Sequence, residues 1–324
     1  MLRWLLIAVI AVGALIVGGL WLSAESDWTA PGPSAAATDV VIPQGATQTS
    51  ALRLLEDRGV LSDADRTVLL ARLFGNELPV RAGEFRFPAA VSASGVLDIL
   101  QTATPIQRRI TIPEGMPSVL VHERIMAAPY LTGDIDVPRE GSVLPNTYNY
   151  ERGETRTAVV ERMQAAMDET LAELWAARAD DIAVSTPEEA VTLAAIVEKE
   201  TAKPSERRLV AGVYTNRLKQ GIRLQADPTI IYPITKGRPL GRRILRSEID
   251  AVNDYNTYSM NGLPKGPIAN PGRASIAAVL DPEETDALFF VADGTGGHVF
   301  AKTLAEHNAN VRKWFAIRRE RGEM

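Results

Sequence analysis

Apolar positions follow three different patterns along the chain. From Leu5 to Leu22 they are unbroken, LLIAVIAVGALIVGGLWL, 18 residues with no charge. At about 1.5 Å per residue this run predicts a helix that spans roughly the hydrocarbon core of a bilayer. Ser26 to Thr38, rich in Pro, Ala, Ser and Thr without periodicity, reads as a spacer. Between Asp39 and Val137 short strand-like and helical runs alternate, predicting a small α+β domain. VVIPQGATQTSALRLL from Val40 and ITIPEGMPSVLVHERI from Ile110 repeat at an offset of 70 residues, so that Pro43 and Gly45 match Pro113 and Gly115. In each copy a Ser or Thr after the glycine is positioned to cap the next helix. GEFRF, Gly83 to Phe87, reads as a strand and Ser94 to Leu100 as a short helix.

The remainder, residues 138–320, is dominated by helical periods. EGSVLPNTYNY, Glu140 to Tyr150, is a turn-and-aromatic entry segment. Thr155 caps a helix on which Val160, Met163, Met167, Leu171, Leu174 and Trp175 form a core face. Thr186, Pro187 and Glu189 make a capping-box start with proline at the first helical position. In that helix Val191, Ala194 and Ala195 precede Glu198 by seven, four and three residues, which puts Glu198 on their apolar stripe and turns Glu200 elsewhere. A carboxyl there loses hydration, which favours the neutral form that a general acid needs. The alternative is a structural glutamate paired with Lys199, Arg207 or Arg208.

After Pro204 a further helix buries Leu209, Val210, Val213, Tyr214 and Leu218 and stops at Gly221. RLQADPT returns Gln225 and Asp227 toward the first of these helices. Pro228 disfavours the α region at Asp227, so Asp227 is expected to cap the next helix. Tyr255-Asn256-Thr257-Tyr258 offers aromatic faces, an amide and a hydroxyl, groups that suit a sugar ring or, equally, a structural loop. GLPKGPIANPG is irregular. FFVAD and HVFA read as a hairpin across a glycine-rich turn, and Thr303 with Glu306 opens a last helix.

Charge and composition narrow the chemistry. With a formal net charge of -5 and no basic stripe, nucleic acid is not an expected partner. No cysteine is present, which excludes disulfides, cysteine nucleophiles and thiolate metal sites. Three histidines without ligand spacing make a metal site unexpected, and His298 and His307 are expected to stabilise the end of the domain by hydrogen bonding. Arg3 precedes the apolar run, Glu25 and Asp27 follow it, and the next basic residue is Arg53. The positive-inside rule therefore predicts a single-pass helix, within residues 1–24, with the rest exported. Leu22-Ser23-Ala24 is a poor cleavage site, so a retained anchor is favoured over a signal peptide.

The combination AAIVEKET (Ala194 to Thr201), NRLKQGIRLQADPTIIY (Asn216 to Tyr232), YNTY, GLPKGPIANPG and VADGTGGHVF with EHN resembles the YceG-like family of endolytic murein transglycosylases. The match covers nearly all of the second domain in order. LPNTY and GLPKGPI depart from the commoner FPDTY and GLPPGPI. The resemblance implies an α+β fold with a LysM-like domain at 39–137 and a largely helical, lysozyme-like catalytic domain at 138–320. It implies cleavage of the β-1,4 bond after N-acetylmuramic acid in peptidoglycan, leaving 1,6-anhydro ends without water, metal or cofactor. Glu198 matches the expected acid, and Gln225, Asp227, Tyr255, Asn256 and Tyr258 match positions expected to line or shape the sugar groove. Implied partners are glycan strands, penicillin-binding proteins and other wall-synthesis enzymes, at the extracytoplasmic side of a bacterial inner membrane. Two other readings keep the same site: a peptidoglycan-binding protein without turnover, and a muramidase in which Asp227 or Glu200 activates water.

Overall fold

A computed structural model describes residues 2–76 and 78–322. Met1 of the predicted anchor and Glu77 of the predicted first domain lie outside the described residues. Among the described residues, helices and three two-stranded sheets make a mixed α+β chain that divides into two compact units, Met1–Arg108 with Glu151–Gly153, and Arg109–Tyr150 with Glu154–Met324.

The first unit begins with α1 (Leu2–Thr29), long and apolar enough to cross a membrane by length and composition. It runs past the predicted run and into the predicted spacer. Trp28 is buried with Leu70, Ala71, Ala93 and Leu97 and stacks on Phe74, with ring centroids 6.5 Å apart. Beyond it the Gly32 amide donates to the Ala90 carbonyl and the Ala90 amide to the Ser34 carbonyl. Ser26 to Ser34 is therefore packed rather than free. One tryptophan buries enough apolar surface to dock a segment whose average composition is that of a spacer.

Strands β1 (Thr38–Ile42) and β2 (Gly83–Phe87) pair antiparallel, from Thr38 opposite Phe87 to Ile42 opposite Gly83. Their inward residues Val40, Ile42, Phe85 and Phe87 pack on Leu52 and Leu55 of α2 (Gln48–Asp57) and on Val96 and Leu100 of α4 (Ala93–Thr102). Between these lies α3 (Ala64–Phe74), capped by Asp63. Thr47 caps α2 as predicted, its side chain accepting the Ser50 amide at 3.1 Å.

The second copy of the repeat ends differently. After β3 (Gln107–Thr111), the helix α5 (Ser118–Met126) has Pro117 at its N-cap and no side-chain cap, so the expected Ser cap is absent. The Ser118 amide goes instead to the half-buried Glu140 carboxylate at 2.8 Å. The pattern puts a domain boundary near Val137, whereas Ile110, Ile112, Val121, Ile125 and Leu131 share one core with Val143, Tyr148 of β4 (Thr147–Glu151), and Val159 and Met163 of α6 (Arg156–Ala176). Strand β4 pairs with β3.

The larger core of this unit is built on α7 (Pro187–Glu200). Thr186 accepts the Glu189 amide at 3.2 Å, and Glu189 reaches back to the Ser185 amide at 2.6 Å, one residue beyond the usual capping-box partner. Residues 190–197 of α7 are all buried, against Val210, Ala211 and Tyr214 of α8 (Arg207–Lys219) and Ile276, Val279 and Leu280 of α11 (Arg273–Leu280). Between α8 and α11 come α9 (Pro228–Thr235) and the single-turn α10 (Arg246–Ile249). The hairpin of β5 (Phe289–Ala292) and β6 (His298–Ala301), followed by α12 (Leu304–Glu320) with its Thr303–Glu306 capping box, completes the unit as predicted.

Candidate active site

The two glutamates at the end of α7 face different surroundings. Glu198 has a side chain only 5% exposed; it accepts the Gly272 amide at 3.0 Å and faces Arg207 at 3.5 Å, which also reaches Glu114 at 3.4 Å. Gly115, at φ +70°, abuts it so closely that a Cβ there would lie 3.3 Å from the Glu198 Cγ, and a Cβ on Gly272 would lie 2.1 Å from the Glu114 carboxylate. The glycines of the PEG and NPG motifs thus let two loops close on this glutamate. It resembles a structural clasp.

Glu200 instead lines a cavity of about 310 Å³ with Tyr214, Arg217, Gln225, Asp227, Tyr258 and His307. Burial, and next the charge of Asp227, push its carboxyl up to about 7, against hydrogen bonding from the Tyr214 hydroxyl and the charge of Arg217. Arg217 is committed elsewhere: its guanidinium donates to the carbonyls of Leu288 at 2.6 Å and Leu224 at 2.7 Å and lies 5.2 Å from the Phe289 ring centre. Gln225 and Asp227 are exposed at the cavity edge, and the Tyr258 hydroxyl donates to the Asp227 carboxylate at 2.6 Å.

One expectation is corrected. Asp227 does not cap α9: its backbone is α-helical at φ -53°, ψ -40°, and no side-chain cap bond forms, because Tyr258 holds the carboxylate. Asn256, expected to line or shape the groove, turns its side chain inward. It is fully buried, its amide donates to the carbonyls of Glu248, Ile249 and Ala251 at 3.3, 2.9 and 2.6 Å, and its oxygen accepts the Tyr258 amide at 3.0 Å. Tyr255 packs on Tyr232, centroids 4.9 Å apart, and is not among the cavity's lining residues. Of the YNTY motif, only Tyr258 reaches the cavity. Buried Thr257 joins the motif to the LQADPT loop, its hydroxyl accepting the Ala226 amide at 3.0 Å and its carbonyl the Gln225 amide at 3.2 Å.

His298 behaves as expected, with its Nδ1 2.8 Å from Glu206. His307 does not: its Nδ1 is buried without a hydrogen-bond partner. The pattern also missed Asn270, fully buried, whose side chain accepts the Val143 amide at 3.0 Å and donates to the Met116 carbonyl at 2.9 Å and to Ser118 Oγ at 3.0 Å. Among the described residues no group of three His, Asp or Glu is placed to hold a metal ion.

The YceG-like family model matches residues 40–313. The chain belongs to the YceG-like family. Curated relatives are an endolytic murein transglycosylase of Bacillus subtilis, 34% identical over 188 residues (58% of this chain, 51% of the relative), and one of Streptococcus pneumoniae, 35% identical over 179 residues (53% of this chain, 31% of the relative). The matches thus span about half of the first relative and about a third of the second. The crystal structure of a YceG-like protein from Listeria monocytogenes is 26% identical with a TM-score of 0.54, and the alignment covers 85% of this chain and 99% of that one.

A raised carboxyl has a thermodynamic signature. Between its unfolded value near 4.5 and its folded value of about 7, Glu200 keeps a proton in the native state that the unfolded chain has released. Its contribution to stability is therefore fully present below pH 4.5 and is lost as pH rises through 7. Glu200→Gln removes this dependence. Urea denaturation should show the variant gaining on the parent between pH 5 and pH 8, by on the order of 2 kcal/mol after screening at the open cavity. Parallel pH profiles for the two proteins would show that Glu200 is not desolvated.

Proposed function

We propose that this chain is a membrane-anchored endolytic murein transglycosylase in which Glu200, rather than Glu198, is the general acid and base. The observation that carries the reading is the position of Glu200 in one cavity with Gln225, Asp227 and Tyr258, while Glu198 is clasped between Gly272 and Arg207. The names of the relatives support the substrate class.

The protonated Glu200 carboxyl gives its proton to the oxygen of the β-1,4 bond after N-acetylmuramic acid as that bond breaks. Positive charge develops at the anomeric carbon, and Asp227, fixed by Tyr258, supplies negative potential at the cavity edge. The muramyl 6-hydroxyl adds to the anomeric carbon, its proton passes to Glu200, and a 1,6-anhydro end results with no water consumed. Gln225, exposed at the edge, hydrogen-bonds the sugar rim. Glu198 is a positioning residue that holds the last turn of α7.

In this reading α1 anchors the chain with the remainder on the extracytoplasmic side, the rest of the first unit forms a LysM-like glycan-holding module, and the catalytic part is lysozyme-like. Penicillin-binding proteins and other wall-synthesis enzymes are its proposed neighbours on nascent strands. A second reading rests on the shared cavity of Glu200 and Asp227: two carboxylates are the apparatus of a hydrolase, in which Asp227 would activate water. Digestion of purified peptidoglycan by the full chain in detergent, read by mass spectrometry, decides between them. Anhydro-muramyl ends are expected; reducing ends would assign the hydrolase, and intact glycan would remove both.

A further inference from the structure

One part of the cavity lining takes no part in the proton transfers just described. It is made by Phe289 and Phe290 of β5 and by Leu304 and His307, one helical turn apart at the start of α12. The His307 ring stacks on Phe289, with centroids 5.2 Å apart and planes 26° from parallel. Burial, and then the charge of Arg217, hold His307 below the ordinary histidine value, so the ring is neutral near pH 7. A neutral imidazole carries one N–H. Since Nδ1 is buried without a partner, and a buried lone pair is better tolerated than an orphaned N–H, the proton belongs on Nε2. The wall therefore combines a single neutral donor with an apolar surface of two phenylalanines and a leucine.

That combination matches a group with one carbonyl acceptor and one methyl. We propose that His307, Phe289, Phe290 and Leu304 form a subsite for the acetamido group of an N-acetylhexosamine, with the His307 Nε2–H donating to the acetyl oxygen and the methyl resting on the aromatic and leucine side chains. A hydroxyl in place of the acetamido group leaves the donor unanswered and the apolar wall uncovered. A site of this kind rejects the analogue that lacks its partner group. The inference rests on the glycan-cleaving reading above and adds to it which sugar substituent the site recognises.

The test compares chitohexaose with cellohexaose, which has a hydroxyl in place of each acetamido group. Binding is measured calorimetrically on the full chain in detergent, in a Glu200→Gln background so that no cleavage intervenes. Chitohexaose is expected to bind roughly tenfold tighter or more, the scale of one neutral hydrogen bond with added apolar contact. In the further variant His307→Leu the preference should fall to within about twofold, whereas His307→Gln, which keeps an N–H, should retain part of it. Equal affinities in the parent overturn the subsite, as does a preference that survives His307→Leu. If that variant does not fold, the parent's preference and the His307→Gln result decide. Failure of both sugars to bind would instead remove the glycan reading itself, and the subsite with it.

Discussion

Glu200→Gln should lower the rate of glycan cleavage by roughly 100- to 10,000-fold, the range supplied by a positioned acid and base, while Glu198→Gln stays within about tenfold of the parent. The two residues are separated by one position in α7, and their environments predict the contrast. Glu200 is in the cavity with Gln225, Asp227 and Tyr258 and holds its proton up to about pH 7. A glutamine there keeps shape and hydrogen bonding but has no proton to give. Glu198 accepts one backbone amide at 3.0 Å and has Arg207 at a long 3.5 Å, so a glutamine oxygen preserves the closer contact and loses only the weaker one. Rates are measured from the release of anhydro-muramyl products. If Glu198→Gln is the inactive protein and Glu200→Gln the active one, the acid is Glu198 and the cavity is a binding site only.

Asn256→Ala should cost about 3 kcal/mol of stability, read by urea or thermal unfolding. Its side-chain amide answers the carbonyls of Glu248, Ile249 and Ala251, its oxygen answers the Tyr258 amide, and the residue is completely buried. Alanine leaves these backbone groups without partners in a space too enclosed for free hydration, and each such group costs about 1–3 kcal/mol. The loss should also reach the site. Tyr258 follows Asn256 by two residues and holds Asp227, so cleavage should fall more steeply than the folded fraction. A loss below about 1 kcal/mol would mean that the loop rearranges, and that Asn256 is available to a ligand after all.

Much of the second unit was legible because its signals are local. The caps at Thr155, Thr186 and Thr303, the stop at Gly221 and the hairpin from Phe289 to Ala301 each depend on a few neighbouring residues, and each is found where the pattern put it. The candidate acid was not legible by the same means. Leu193, Ile196 and Val197 precede Glu200 by the same seven, four and three residues that separate Val191, Ala194 and Ala195 from Glu198. A helical stripe distinguishes two faces only when one face is wet, and α7 is buried on every side from Ala190 to Val197.

The sequence by itself determined the family, the helices α6 to α9 and α12 and the terminal hairpin of the second unit, the apolar amino-terminal run and the short segments from which the candidate site is drawn. Tertiary structure decided which side chains of those segments meet. It sent Asn256 inward to bind backbone, gave the Asp227 carboxylate to Tyr258 instead of a helix end, docked Trp28 where composition suggested a spacer, and set Glu200 but not Glu198 among Gln225, Asp227 and Tyr258. The reason is physical. Caps, turns and periods are fixed by residues within about one helical turn of each other, whereas the partner of a buried carboxyl or amide is supplied by chain tens of residues away, and only packing determines which one arrives.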